Sequence, residues 1–204
     1  VELTERADET VARLQDWPDR RRFLWPRPRS RMGDVHVVAV AGSLRDKSYT
    51  RECLRHALRA AERAGATTEL LDLREFDLPI LDPDRDAVRD VEQFTARVRA
   101  ADSVILGTPV YHGSYSGALK NALDHCGFDE FENTTVGLLA VAGGSFPVTA
   151  LEHLRSVCRA LNAWVLPHQA AVPQVSNAIA AGEFTDDDLG DRVRTLAVRA
   201  TEYA

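Results

Sequence analysis

Val35-His36-Val37-Val38-Ala39-Val40-Ala41 runs directly into Gly42-Ser43-Leu44-Arg45-Asp46-Lys47-Ser48-Tyr49-Thr50. The first seven residues are apolar apart from His36 and mostly β-branched, which reads as a buried strand. The nine that follow hold a glycine, three aliphatic hydroxyls and two basic side chains just ahead of a helical pattern. A strand without polar alternation that ends in a glycine-led loop and a helix belongs to a parallel sheet covered on both faces. The same unit repeats outward along the chain. Strands are expected at 35–41, 67–73, 103–108 and 135–142, with a weaker one near 163–166, and helices at about 49–64, 88–100, 117–123, 147–161 and 186–203. This is one α/β domain. In such open sheets ligands bind beyond the carboxyl ends of the strands where strand order reverses, so the loops after strands one, three and four matter most.

Composition narrows the possibilities. The chain has 204 residues, 45% hydrophobic and 27% charged, with a net charge of −6. That suits a globular domain with a full core and excludes a disordered tail or a small disulfide-stapled scaffold. The longest apolar runs, 35–41 and 136–142, fall far short of the roughly twenty residues a membrane crossing needs. The acidic balance argues against a nucleic-acid partner. Cys53, Cys126 and Cys158 are odd in number and widely spaced, so neither a disulfide framework nor a metal site is readable, and a reducing, cytoplasmic setting fits. Residues 1–31 differ from the rest: they carry a net +2 against −8 for the remainder, with Trp17-Pro18, Trp25-Pro26 and the run Arg20-Arg21-Arg22. They read either as a basic arm for an anionic partner or, more simply, as an extension upstream of a natural start at Met32. The functional domain is then expected to be 32–204.

Each loop has a chemistry. The first offers Ser43, Ser48 and Thr50 hydroxyls, the Arg45 guanidinium and the free N–H groups of a helix start, a set suited to a phosphate. It lacks the glycine spacing of the dinucleotide fingerprint GxGxxG. It matches the nucleoside-triphosphate loop at Gly42 and Lys47-Ser48, but Asp46 stands where the second glycine belongs. A terminal monophosphate is the better ligand. The second loop, Thr108-Pro109-Val110-Tyr111-His112-Gly113-Ser114-Tyr115-Ser116-Gly117, supplies aromatic and apolar surface for a flat group. Its glycines flank Tyr115 where a hydrolase would need its nucleophilic serine. His112 and the adjacent pair His125-Cys126 are weak candidates for proton transfer or nucleophilic chemistry. The third loop, Ala142-Gly143-Gly144-Ser145-Phe146-Pro147, presents bare backbone N–H groups, and Ser145 is placed to cap the helix beginning near Pro147.

Taken together, Gly42 to Thr50, Pro109 to Asn121 and Ala142 to Ser145 resemble the NAD(P)H-dependent FMN reductases of the flavodoxin superfamily, a group that includes quinone, azo-dye and chromate reductases. The resemblance covers residues 35 to about 167, and its middle motif is the most specific part. It implies a flavodoxin-like three-layer sandwich with a five-stranded parallel sheet in the order 2-1-3-4-5. It implies FMN held by its phosphate at Ser43, Arg45, Ser48, Tyr49 (through the backbone) and Thr50. The isoalloxazine ring would lie along Pro109, Val110, Tyr111, His112, Gly113 and Ser114, with Gly143, Gly144 and Ser145 facing its pyrimidine end. Thr50 and His112 stand where asparagine is common in the group. The implied reaction moves a hydride from NAD(P)H through flavin N5 to a small acceptor: a quinone, free flavin, azo or nitro compound, or metal oxyanion. No catalytic side chain and no metal are needed. A homodimer or homotetramer is also implied. The rivals are a flavodoxin-type electron carrier served by a protein partner and a flavin-responsive interaction protein that uses the basic head.

Overall fold

The computed structural model describes residues 35–180 and 182–204; the expectation for residues 1–31 lies outside them. Parallel strands β1 (His36–Ala41), β2 (Thr67–Asp72), β3 (Ser103–Pro109) and β4 (Thr135–Val141) stand in the order β2-β1-β3-β4. A fifth position on the β4 edge is shared by β5 (Trp164–Val165) and β6 (Ala170–Val172), which pair with the start and the end of β4. The expected order 2-1-3-4-5 is observed. Strands one to four are found within one residue of their expected ends. The fifth needs correction: the segment near 163–166 is only its first half. Pro167 lacks the N–H that a continuous ladder would need, and pairing resumes at Ala170.

The central strands β1, β3 and β4 are buried on both faces because successive side chains feed two cores. Val37, Ala39 and Ala41 join Ile105 and Leu139 under helices α1 (Tyr49–Arg63) and, at the far end of the chain, Asp187–Glu202. Val38, Val40, Val104, Leu106 and Leu138 face the opposite way. There they meet α2 (Arg89–Arg99), α3 (Gly117–Asp124) and, beyond the one-turn α4 (Phe128–Phe131), α5 (Val148–Ala160). Helix α1 turns Cys53, Leu54, Ala57, Leu58 and Ala61 inward at the three- and four-residue spacing of one face. The short α6 (Val175–Ala178) and the antiparallel pair β7 (Ile179–Ala180) and β8 (Glu183–Phe184) precede the last helix, α7 (Asp187–Glu202). These three small elements have too few residues to show a period and are not legible in the sequence.

Two contacts fix the edge where the loops emerge. The Gly42 N–H donates to the Gly107 carbonyl at 2.8 Å, and the Ser116 hydroxyl donates to the Gly42 carbonyl at 2.5 Å. The loop after β1 is thus bound to the end of β3 and to the start of α3. A Cβ on Gly42 would stand 2.8 Å from the Leu119 Cβ and 2.9 Å from the Gly107 oxygen, so only glycine allows this approach. No helix among the described residues is long and apolar enough to cross a membrane.

Candidate functional site

Beyond the carboxyl ends of β1, β3 and β4, at the crossover between β1 and β3, lies a cavity of about 260 Å³. Ser43, Arg45, Lys47, Ser48, Tyr49 and Thr50 line one end, and Pro109, Val110, Tyr111 and Val141 line the other, with Gly143 at the rim. Val175 and Ser176 of α6 complete the wall. The first end is hydroxyl-rich and cationic; the second is flat and apolar.

The polar end is shaped from behind. Ser48 is the N-cap of α1, its hydroxyl accepting the Arg51 N–H at 3.3 Å, so the N–H groups of Tyr49 and Thr50 at the helix start have no intrahelical partner. One residue that the sequence reading passed over holds the loop in this form. Arg51 is buried and donates to the carbonyls of Ser43 at 3.0 Å, Arg45, and Asp46 at 2.7 Å. Three carbonyls are thereby drawn inward, away from the cavity that an anion would enter. The guanidinium is anchored by Asp72 at the end of β2, Nε to carboxylate 3.3 Å. Asp72 also accepts from the Arg74 backbone and side chain.

The charges of this cluster are coupled. Burial pushes the Asp72 carboxyl up, but the hydrogen bonds from Arg74 and the charge of Arg51 outweigh it and hold the group below the usual carboxylate range. Burial lowers the Arg51 pKa, and the attraction of Asp72 opposes that shift. Asp46, the acid that spoils the nucleoside-triphosphate motif, turns its exposed carboxylate out to Arg74 at 3.2 Å. It therefore does not confront an anion in the loop.

The second loop makes a tight turn. Tyr111 and Ser114 exchange backbone hydrogen bonds of 3.0 and 3.1 Å, with His112 and Gly113 between them at φ 50° and 82°. Both central residues are left-handed, the geometry of a type I′ turn, which glycine tolerates and histidine does not favour. The turn rests on α5: Thr149 donates to the Gly113 carbonyl at 2.7 Å, and the Ser114 hydroxyl meets His153 Nδ1 at 2.9 Å. Gly113 and Ser114 are thereby tied to α5, and Tyr111 at the head of the turn lines the cavity.

In the third loop Gly143 reaches the cavity while Gly144 and Ser145 do not. The Gly144 carbonyl accepts from Gln174 at 3.0 Å, which ties the loop to the entry of α6. Ser145 does not cap the helix, a correction to the expectation: Pro147 takes the N-cap position and provides no side-chain bond. Val175 and Ser176 come from a region where sequence patterning offers no signal. His125 binds the Pro79 carbonyl at 2.8 Å and Cys126 is buried with its thiol pKa pushed up by desolvation, so the two form no nucleophilic pair.

These residues fit a flavin mononucleotide. An anionic tail needs oriented N–H and O–H donors with positive charge nearby, and a planar ring needs an apolar wall; the two ends of the cavity supply one each.

Comparisons with known proteins agree. Residues 35–177 match the sequence profile of a family described as NADPH-dependent FMN reductase. An FMN-dependent NADPH-azoreductase of Staphylococcus aureus (strain USA300) is 38% identical over 140 residues, spanning 66% of this chain and 74% of the relative. The corresponding protein of Staphylococcus haemolyticus (strain JCSC1435) is 36% identical over the same shares. Among solved structures, FerB, a flavoenzyme NAD(P)H:(acceptor) oxidoreductase from Paracoccus denitrificans, superposes with a TM-score of 0.71 at 23% identity, covering 82% of this chain and 97% of that one. An oxidoreductase from Corynebacterium diphtheriae gives 0.68 at 19% identity, with coverage of 84% and 97%. The structural likenesses bear on the fold.

Proposed function

The chain belongs to the NADPH-dependent FMN reductase family, and from that membership we propose that its loop-edge cavity seats FMN and that it reduces small azo compounds and quinones. It is an FMN-dependent oxidoreductase that draws electrons from NAD(P)H. When bound, FMN supplies two-electron chemistry, taking a hydride from the nicotinamide and passing reducing equivalents to an acceptor.

The chain's own residues have four tasks in this reading. Ser43, Ser48, Thr50 and the N–H groups at the start of α1 hold the phosphate, and Arg45 and Lys47 offset its charge. Arg51 keeps the loop's carbonyls away from that anion. Pro109, Val110 and Tyr111 exclude water from one side of the ring, held in place by the turn through His112, Gly113 and Ser114. Gly143, with Gly144 and Ser145 behind it, offers N–H groups that offset negative charge at the pyrimidine end. This reading requires no side chain as acid, base or nucleophile.

A homodimer or homotetramer belongs to the same proposal. Phe146 at 82% exposure, Val148 at 50% and Tyr111 at 47% leave apolar surface on the second and third loops and the start of α5. A cytoplasmic location does too, supported by three free, buried thiols.

The convergence of the phosphate-suited first loop with the apolar wall of the second in one cavity carries the assignment. Purified protein supplemented with FMN should consume NADPH when an azo dye or a quinone is added, one NADPH per quinone reduced to the hydroquinone and two per azo bond cleaved to amines. Absence of turnover with every such acceptor would overturn the proposed activity and favour an electron carrier.

A further inference from the structure

Residues 111–114 form the tip of the second loop, and little of the molecule surrounds them. Tyr111, His112 and Gly113 are exposed, and a Cβ built on Gly113 would meet nothing within 4 Å. The base of the loop is well tied: the Val110 N–H donates to the Val141 carbonyl at 2.9 Å, and the Ser116 N–H donates to the Thr108 hydroxyl at 2.9 Å. Above that base the tip closes on itself, through the two backbone bonds between Tyr111 and Ser114. It does so in an unfavourable form, with His112 at φ 50°, a left-handed conformation that a histidine enters only at a cost. Such a form persists where the surroundings impose it. Among the described residues, the hydrogen bonds that reach the tip from elsewhere both come from α5. Thr149 donates its hydroxyl to the Gly113 carbonyl, and the Ser114 hydroxyl meets Nδ1 of His153. These two residues of α5 stand four apart, hence on one face of the helix, and both are exposed, so core packing does not explain their place.

We propose that Thr149 and His153 are positioning residues of the flavin site: they hold the tip in its left-handed form and thereby keep Tyr111 on the cavity wall. The inference rests on the FMN reading above. Tyr111 lines the apolar end of the cavity with Pro109 and Val110, yet it is 47% exposed and belongs to the tip rather than the tied base. Its position therefore follows that of the turn. Helix α5 also begins directly after the third loop, whose Gly143 stands at the cavity rim. The same clamp thus sets the spacing between the ring wall and the loop assigned to the pyrimidine end. A wall of this kind acts on the ring and not on the phosphate, so its loss weakens FMN and riboflavin alike.

The test is calorimetric titration of FMN and of riboflavin into a Thr149→Val/His153→Leu variant. Valine keeps the shape of threonine without its hydroxyl, and leucine removes the polar atom facing Ser114. Loss of two exposed hydrogen bonds should weaken both ligands about tenfold and by the same factor. A Thr149→Ser/His153→Asn variant, which keeps a hydroxyl and a polar atom at the place of Nδ1, should bind both as the wild type does. Adding His112→Asn to the Val/Leu variant should restore most of the lost affinity, because an Asn-Gly pair adopts this turn unaided. That rescue separates control of the turn from a general structural role, which a change at His112 would not repair. Wild-type affinity in the Val/Leu variant, a loss confined to FMN, or a loss that neither the Ser/Asn pair nor His112→Asn recovers would each overturn the inference. Failure of the wild type to bind FMN defeats the earlier assignment instead, and that titration is done first.

Discussion

Arg51 shows how one buried side chain can set the chemistry of a loop it does not line. Its guanidinium satisfies three loop carbonyls and one carboxylate. Arg51→Met keeps the apolar stem and leaves Asp72 with one cationic partner fewer, so a loss of stability of about 3 kcal/mol is expected from denaturant unfolding. FMN affinity should fall at least tenfold while riboflavin, which has no phosphate, loses little. Equal losses for the two ligands would show that Arg51 serves the fold and not the phosphate loop. In the sequence Arg51 is one basic residue in an arginine-rich helix, and nothing local marks it. Its role depends on Asp72, 21 positions away, which only the pairing of β1 with β2 brings near.

His56 is a second residue-scale case. It lies on the buried side of α1 against Phe184, ring centroids 4.9 Å apart. Burial lowers its pKa, the charges of Arg59 and Arg194 lower it further, and Glu183 opposes them only in part. A histidine with a depressed folded-state pKa is neutral in both states above the unfolded value of about 6.5, where its contribution is intact. As the pH falls from there through the folded value, the unfolded chain takes up a proton that the native protein resists, and stability is lost. Unfolding free energy measured at pH 7.5 and 5.5 should therefore decrease toward acid, and His56→Gln should flatten that decrease. An unchanged slope would contradict the assignment.

At the scale of elements, the site depends on junctions more than on helices and strands. The Ser116 hydroxyl caps α3 by accepting the Leu119 N–H at 3.1 Å and also donates to the Gly42 carbonyl. Ser116→Ala removes both bonds in a buried position. A loss of about 2 kcal/mol is expected in urea titration, together with weaker FMN binding, because the base of the first loop is released. A mutant with wild-type stability would show that α3 does not hold the loop. The long strands and helices were legible because their apolar periods extend over several residues, as in 35–41 and 49–64. The fifth strand was half legible, since Trp164 and Val165 show β character while Ala170 to Val172 follow a proline and carry no distinctive pattern. Val175 and Ser176 reach the cavity from a single helical turn after Gln174, whose left-handed backbone at φ 44° no local sequence cue indicates.

For the whole molecule, two cores on opposite faces of one sheet leave the carboxyl edge as the place where three loops meet. The family match begins at residue 35. A chain lacking residues 1–31 is expected to bind FMN with unchanged affinity, and a tenfold loss on truncation would give the basic head a part in the site. The loop set of the site was legible because its glycines, hydroxyls and aromatics lie in contiguous motifs. The tie of the second loop to α5 was not, since the bonds of Gly113 and Ser114 to Thr149 and His153 join segments nearly forty residues apart.

Calorimetric titration of FMN into the wild type and an Arg45→Ala/Ser48→Ala variant tests the phosphate assignment most directly. One equivalent should bind the wild type, and the variant should bind at least tenfold more weakly, with riboflavin affinity the same in both. No uptake by the wild type, or equal FMN affinity in the two proteins, would contradict the placing of a flavin phosphate where Ser43 to Thr50 open α1.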